Sequence, residues 1–205
     1  MATYSTTAII NYALVLCGTT TVSSITDNTP NARALNSVYE IARLDFLTEC
    51  KWNFSTTRTT LATVASSTIS WFHVEEAYVY SRPSAALRIW EMSDDNAVWR
   101  VEGDYIISNT ANLGAKYSWD QSDLSKWTPF AINAFIDKLA ADISYTILNS
   151  PQKSEAFLKK YKSISLPKAM SENSQTGTQQ IVKDDDILAS KFQDGYGGNP
   201  ARSYG

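Results

Sequence analysis

A single histidine (His73) and two cysteines (Cys17 and Cys50) in 205 residues leave little material for a site built on imidazole or thiolate. A Cys/His zinc centre needs about four such ligands, so none is expected. A serine triad would have to use His73, which stands between Phe72 and Val74 in a stretch that reads as a strand, with no nucleophile elbow nearby. Both cysteines fall in helical patterns; two small buried side chains are the favoured reading and a disulfide the other. Glycine is scarce before the C-terminal stretch, which excludes a phosphate-cradling loop. No apolar run approaches the roughly 18 residues that cross a bilayer. No basic head precedes the first apolar stripe either, so the sequence reads as a soluble protein made in a reducing cytosol. Excess positive charge is missing too: a formal charge of −3 provides no basic patch to grip phosphate backbones, although DNA could slide past such a surface. Residues 1–26 carry no charged side chain at all; the first is Asp27.

What the chain does have is an ordinary globular composition, 43% hydrophobic and 12% aromatic, with Ser, Thr and Asn making up for a low charged fraction of 19%. The organising stretch is Tyr39–Ala62. Val38, Ile41, Ala42, Phe46 and Glu49 are spaced to climb one side of a helix, and after Trp52 the pattern turns to Thr-rich alternation that favours a strand. Trp52, Asn53 and Phe54 fall at the corner, where two aromatics are expected to pin a helical layer to a sheet layer.

Before this corner, Ile9, Ile10, Ala13, Leu14 and Cys17 form a helical stripe with Thr6 or Thr7 as N-cap and Gly18 as stop. A helix whose other face is uncharged suggests burial on several sides, and Tyr4, Asn11 and Tyr12 are the expected contacts to a neighbouring molecule. Thr29-Pro30 starts a second helix running to Lys51. About six strands follow, near 54–64, 69–74, 77–80, 87–92, 97–108 and 113–119, with a tight turn at Glu102-Gly103-Asp104. Thr128-Pro129 repeats the cap-plus-proline start. The helix after it carries Ile132, Phe135, Ile136, Leu139, Ala140, Ile143 and Ile147 on one stripe, with Asn133, Asp137 and Asp142 off it. A fourth helix begins at Pro151, and Pro167 is expected to kink or end it.

The reading is α+β: an antiparallel helical bundle with an inserted antiparallel β domain and an extended C-terminal tail. The boundaries are 1–53 and 121–172 for the two halves of the bundle, 54–120 for the β domain and 173–205 for the tail. The tail is polar enough to be disordered alone, yet Ile181, Val182, Ile187, Leu188, Phe192 and Tyr196 recur along it as anchors for a partner. Ending the chain after Ser171 is therefore expected to leave the melting temperature of the core nearly unchanged while weakening its binding to that partner.

Candidate chemistry is thin. In Glu75-Glu76 and Asp94-Asp95, adjacent strand residues point to opposite faces, so neither pair spans a substrate. Asp184-Asp185-Asp186 lacks the glycine and terminal glutamate of a calcium loop. Trp71, Trp90, Trp99 and Trp119 could stack sugars, but packing is the preferred role. No catalytic residue, metal or cofactor is expected.

Five blocks in order carry a likeness: ALVLCGTTTVSSITDNTPNA, YEIARLDFLTECKWNFSTTRTTLA, YSRPSAALRIWEM, WRVEGDYIISN and FAINAFIDKLAADISYTIL. Together they cover about residues 8–170 and resemble the tail tubular protein A family, the head-to-tail adaptors of short-tailed bacteriophages. The Trp-Asn-Phe corner with Arg58 and Leu61-Ala62 is the most specific piece. Lys51 stands where that family usually has a proline. The resemblance implies a structural virion protein made in the host cytoplasm, in a homo-oligomeric ring of twelve copies. The portal protein would lie above the ring and the tail nozzle protein beneath it, with DNA passing through unread and no membrane involved. Tyr4, Tyr12, Ile181, Ile187, Leu188, Phe192 and Tyr196 are the expected portal or neighbour contacts. Two other classes stand beside it: a carbohydrate-binding or polysaccharide-degrading tail-associated module, and a regulatory interaction domain of the host cytosol.

Overall fold

A computed structural model describes residues 4–71, 73 and 76–176. Its helices are α1 (Thr6–Cys17), α2 (Pro30–Glu49), α3 (Pro129–Leu148), α4 (Pro151–Lys160) and α5 (Leu166–Gln175). Its strands are β1 (Thr56–Thr60), β2 (Thr63–Val64), β3 (Tyr78–Ser81), β4 (Ala86–Met92), β5 (Trp99–Glu102), β6 (Tyr105–Ser108) and β7 (Gly114–Trp119). They form two antiparallel sheets, ordered β1-β7-β4 and β2-β3-β6-β5, so the fold is α+β.

Local chemistry sets the helix ends. Thr29 and Thr128 each accept a hydrogen bond from the backbone N–H three residues on, with proline following in the first turn. The α1 cap is Ser5, not Thr6 or Thr7: its hydroxyl accepts from Ala8 N at 3.1 Å, one residue earlier than the apolar stripe suggests. Gly18 closes α1 at φ +76, a left-handed conformation in which a side chain would be strained.

Helix α3 is the hub, packed by α1, α2, α4 and α5. That enclosure explains why Asp137, placed off the apolar stripe by its spacing, is only 5% exposed. Its carboxylate takes Lys160 Nζ at 2.7 Å and the Ser165 hydroxyl, so the buried charge is partnered. Helix α2 turns its inner face further than expected. Ala32, Leu35, Tyr39, Ala42 and Phe46 face the core, while Ile41 is 71% exposed.

Pro167 does not end the fourth helix. A π-helical turn, Tyr161–Ser165, widens the backbone just before it. The ring thereby escapes the carbonyl it would strike in a regular helix, and α5 continues to Gln175.

The strand expected over 54–64 is divided. A 3-10 turn (Asn53–Ser55) leads into β1, which pairs with β7, and after Leu61-Ala62 the chain crosses to the other sheet as β2 against β3. No strand is formed by the described residues of 69–74, and Phe72 and Val74 lie outside them. The β5–β6 hairpin turns at Gly103-Asp104 with Gly103 at φ +58. One core fills the helical layer, and a smaller one (Leu61, Tyr80, Met92, Ile106, Leu113, Ala115) gathers strands of both sheets.

Candidate functional site

Trp52 is fully buried in an aromatic pile where the layers meet. Its ring stacks on Phe46 at 4.8 Å and on Phe54 at 5.7 Å, and Trp127 stacks on the same two rings at 5.4 and 5.0 Å. The indole N–H donates to the Phe46 carbonyl at 2.8 Å, so the polar end of the ring is satisfied within the core. Asn53 reaches the other way, to α5. Asn53 N donates to Asn173 Oδ1 at 2.8 Å, Asn173 Nδ2 donates to the Lys51 carbonyl at 3.0 Å, and Asn53 Nδ2 donates to the Asn173 carbonyl at 2.8 Å. Asn53 Nδ2 also donates to Thr176 Oγ1. Asn173, assigned to the tail by composition, is thus a bracket that fastens the end of α5 to the corner. Ala169 and Asn173, four apart, are the buried positions of α5. That spacing was the available signal, hidden by the assumption that Pro167 stops the helix.

On α1, Tyr12 is 51% and Val15 55% exposed, three residues apart on one uncharged face. Tyr4 is half-buried against the main core. Asn11 is not free for a neighbour, because its side chain brackets the backbone of Val22 at 2.8 and 2.9 Å and holds the loop after α1 in place. Ile181, Ile187, Leu188, Phe192 and Tyr196 lie outside the described residues, as do Val182 and the Asp184-Asp185-Asp186 run.

Glu76 pairs with Arg100 at 3.0 Å, Glu75 lies outside the described residues, and Asp94 accepts from Asn96 N within a turn. His73 sets its ring edge-on to Trp71 at 5.3 Å. The tryptophans are spread over a loop and both sheets: Trp71 is exposed, Trp90 donates to Ser118 Oγ at 2.7 Å, and Trp99 packs on the smaller core. Cys17 and Cys50 are free, and burial pushes both thiols above their ordinary range. Among the described residues no group of three His, Cys, Asp or Glu side chains is placed to hold a metal ion, and no helix is long and apolar enough to cross a membrane.

A charged groove on the three-stranded sheet went unread in the sequence. Register sets Arg58 opposite Lys116 and Lys116 opposite Glu91, so the three stand in a row across β1, β7 and β4. Lys51, just past α2, extends the row by pairing with Glu91, whose other oxygen lies 3.4 Å from Lys116 Nζ. The groove, about 490 Å³, is lined also by Ser93 and Gly114. A Cβ at Gly114 would sit 3.2 Å from the Thr59 carbonyl, so glycine is what lets β1 pass this close. Hydrogen bonding from Lys51, with Lys116 adding its charge, holds the Glu91 carboxyl below the usual carboxylate range. A lowered folded value means that this pairing stabilises the fold above the ordinary carboxylate range and is lost as pH falls through the folded value. Arg58 is exposed and has no ion-pair partner among the described residues. Alternation within β1 and β7 could have placed Arg58 and Lys116 on faces, but which strands pair is not written locally.

Comparison of the sequence with protein-family models finds no matching family, and comparison with curated proteins finds no match.

Proposed function

We propose that this chain is a structural component of a phage virion, a head-to-tail adaptor. Twelve copies form a ring between the portal and the tail nozzle, and DNA passes through without being read. In this reading the helices are a bundle, the strands an inserted β domain, and the residues after α5 an extended arm toward the portal or an adjacent copy. The protein is made in the host cytoplasm, ends in the virion and carries out no catalysis of its own. The observation that carries the reading is the outer face of α1. Tyr12 and Val15 stand more than half exposed on a helix that has no charged residue to keep it in water. The five ordered sequence blocks that resemble the adaptor family support it, as does the mildly acidic balance, which lets DNA pass without sticking.

Tyr12→Asp is the test. The side chain is half exposed and mid-helix, so the substitution should change stability by no more than about 1 kcal/mol. Burying one such side chain is worth roughly 1.5–3 kcal/mol, so ring formation should weaken about tenfold or more. Ring yield from electron micrographs, beside an unchanged circular dichroism melt, reads both quantities. Rings formed at the parent yield would remove α1 from the interface and with it this reading.

A further inference from the structure

The groove on the three-stranded sheet is lined by two cations, Arg58 and Lys116, and one carboxylate, Glu91, which Lys51 also pairs from beside the groove, so this patch is positive in a chain of net charge −3. Glu91 engages both lysines, while the guanidinium of Arg58 remains open beside them. A planar fork of this kind suits a carboxylate bound through two oxygens. The densest run of carboxylates in the sequence is Asp184-Asp185-Asp186, eight to ten positions after Thr176.

The described structure fixes where that run sets out. Asn173 in the last turns of α5 is hydrogen-bonded to the Lys51 carbonyl, and Thr176 to Asn53. The last described residues of the chain therefore lie beside Lys51, at the head of the cation row. From β4 to β1 the row spans only about 10 Å, two strand spacings. Eight residues extend to about 26–29 Å, enough to travel from Thr176 past Lys51 to Arg58 without strain.

We propose that this groove is the docking site of Asp184–Asp186 of the same chain, the carboxylates lying between Lys116 and Arg58. The proposal does not depend on the ring reading, since it concerns the single chain. Docking would set the direction in which the apolar residues that follow, Ile187, Leu188 and Phe192, depart from the sheet.

The test uses the full chain, as an equal mixture of unlabelled and ¹⁵N-labelled protein, with a zero-length carbodiimide that joins lysine amines to carboxylates. Mass spectrometry should find Lys116 joined to the peptide bearing Asp184–Asp186 with both halves from the same isotope pool. Raising the salt to about 0.5 M should suppress the link, because the screening length falls to a few ångströms. Arg58→Gln in the full chain should lower the yield about two- to fivefold, the effect of one exposed charge contact. The Lys116–Glu91 link reports that the groove is intact in that variant. The proposal is overturned if the Lys116 yield is unchanged in Arg58→Gln, if the link forms at Lys51 alone, or if links scatter evenly over Lys126, Lys153 and Lys159. It is equally overturned if mixed-isotope pairs dominate, which would make a neighbouring copy the occupant.

Discussion

Trp52→Ala should lower the unfolding free energy by about 3–5 kcal/mol, the usual cost of emptying a fully buried aromatic site. The ring is completely enclosed, stacked between Phe46 and Phe54, and its N–H is bonded to the Phe46 carbonyl. Removing it opens a cavity between Phe46 and Phe54, both of which Trp127 holds in place and the first of which Phe135 also packs against, so the site cannot collapse readily. For a chain of this length the loss corresponds to a fall in melting temperature of roughly 6–20 °C. Trp71→Ala is the natural control, because Trp71 is 65% exposed and should shift stability by no more than about 0.5 kcal/mol. Equal melts for the two variants would mean that Trp52 is not the pin between the layers.

The second large effect concerns where the folded unit ends. Ending the chain after Ser171 should destabilise it by about 1–3 kcal/mol, whereas ending it after Thr176 keeps the bracket and serves as reference. Composition alone led to the opposite expectation. The reason for the change is Asn173: its side chain accepts from Asn53 N and donates to the Lys51 carbonyl, so its removal leaves two backbone groups at the corner without protein partners. Asn173→Ala in the full chain separates the bracket from the helix that carries it. Calorimetric melts of the three proteins decide the matter, and identical transitions for the Ser171 and Thr176 chains would show the bracket to be worthless.

These cases show which parts of the molecule a sequence carries openly. Thr29-Pro30, Thr128-Pro129 and Gly18 announce helix ends because caps and left-handed stops act within a few residues. The stripe of α3 was legible for the same reason, and so was the Gly103 turn. Whatever depends on a distant partner was not. Asp137 sits off the stripe and is nonetheless buried, because α4 and the π-helical turn close over it. The division of 54–64 between two sheets is imposed by β7 on one side of Leu61-Ala62 and by β3 on the other, and neither half differs locally from a single strand. The corner was visible as a pair of aromatics, but the amide that closes it comes from about 120 positions away. The groove was invisible until register put Arg58 beside Lys116.

The proposed ring against a portal is tested most directly by imaging. On the proposed reading, the purified chain mixed with its cognate portal protein should give cryo-electron micrographs of portals capped on one face by an added twelvefold ring. In such a reconstruction the outer face of α1, with Tyr12 and Val15, should lie against density from a neighbouring copy or the portal. Portals that remain bare at saturating concentrations of this chain, with the chain itself monomeric, would contradict the account.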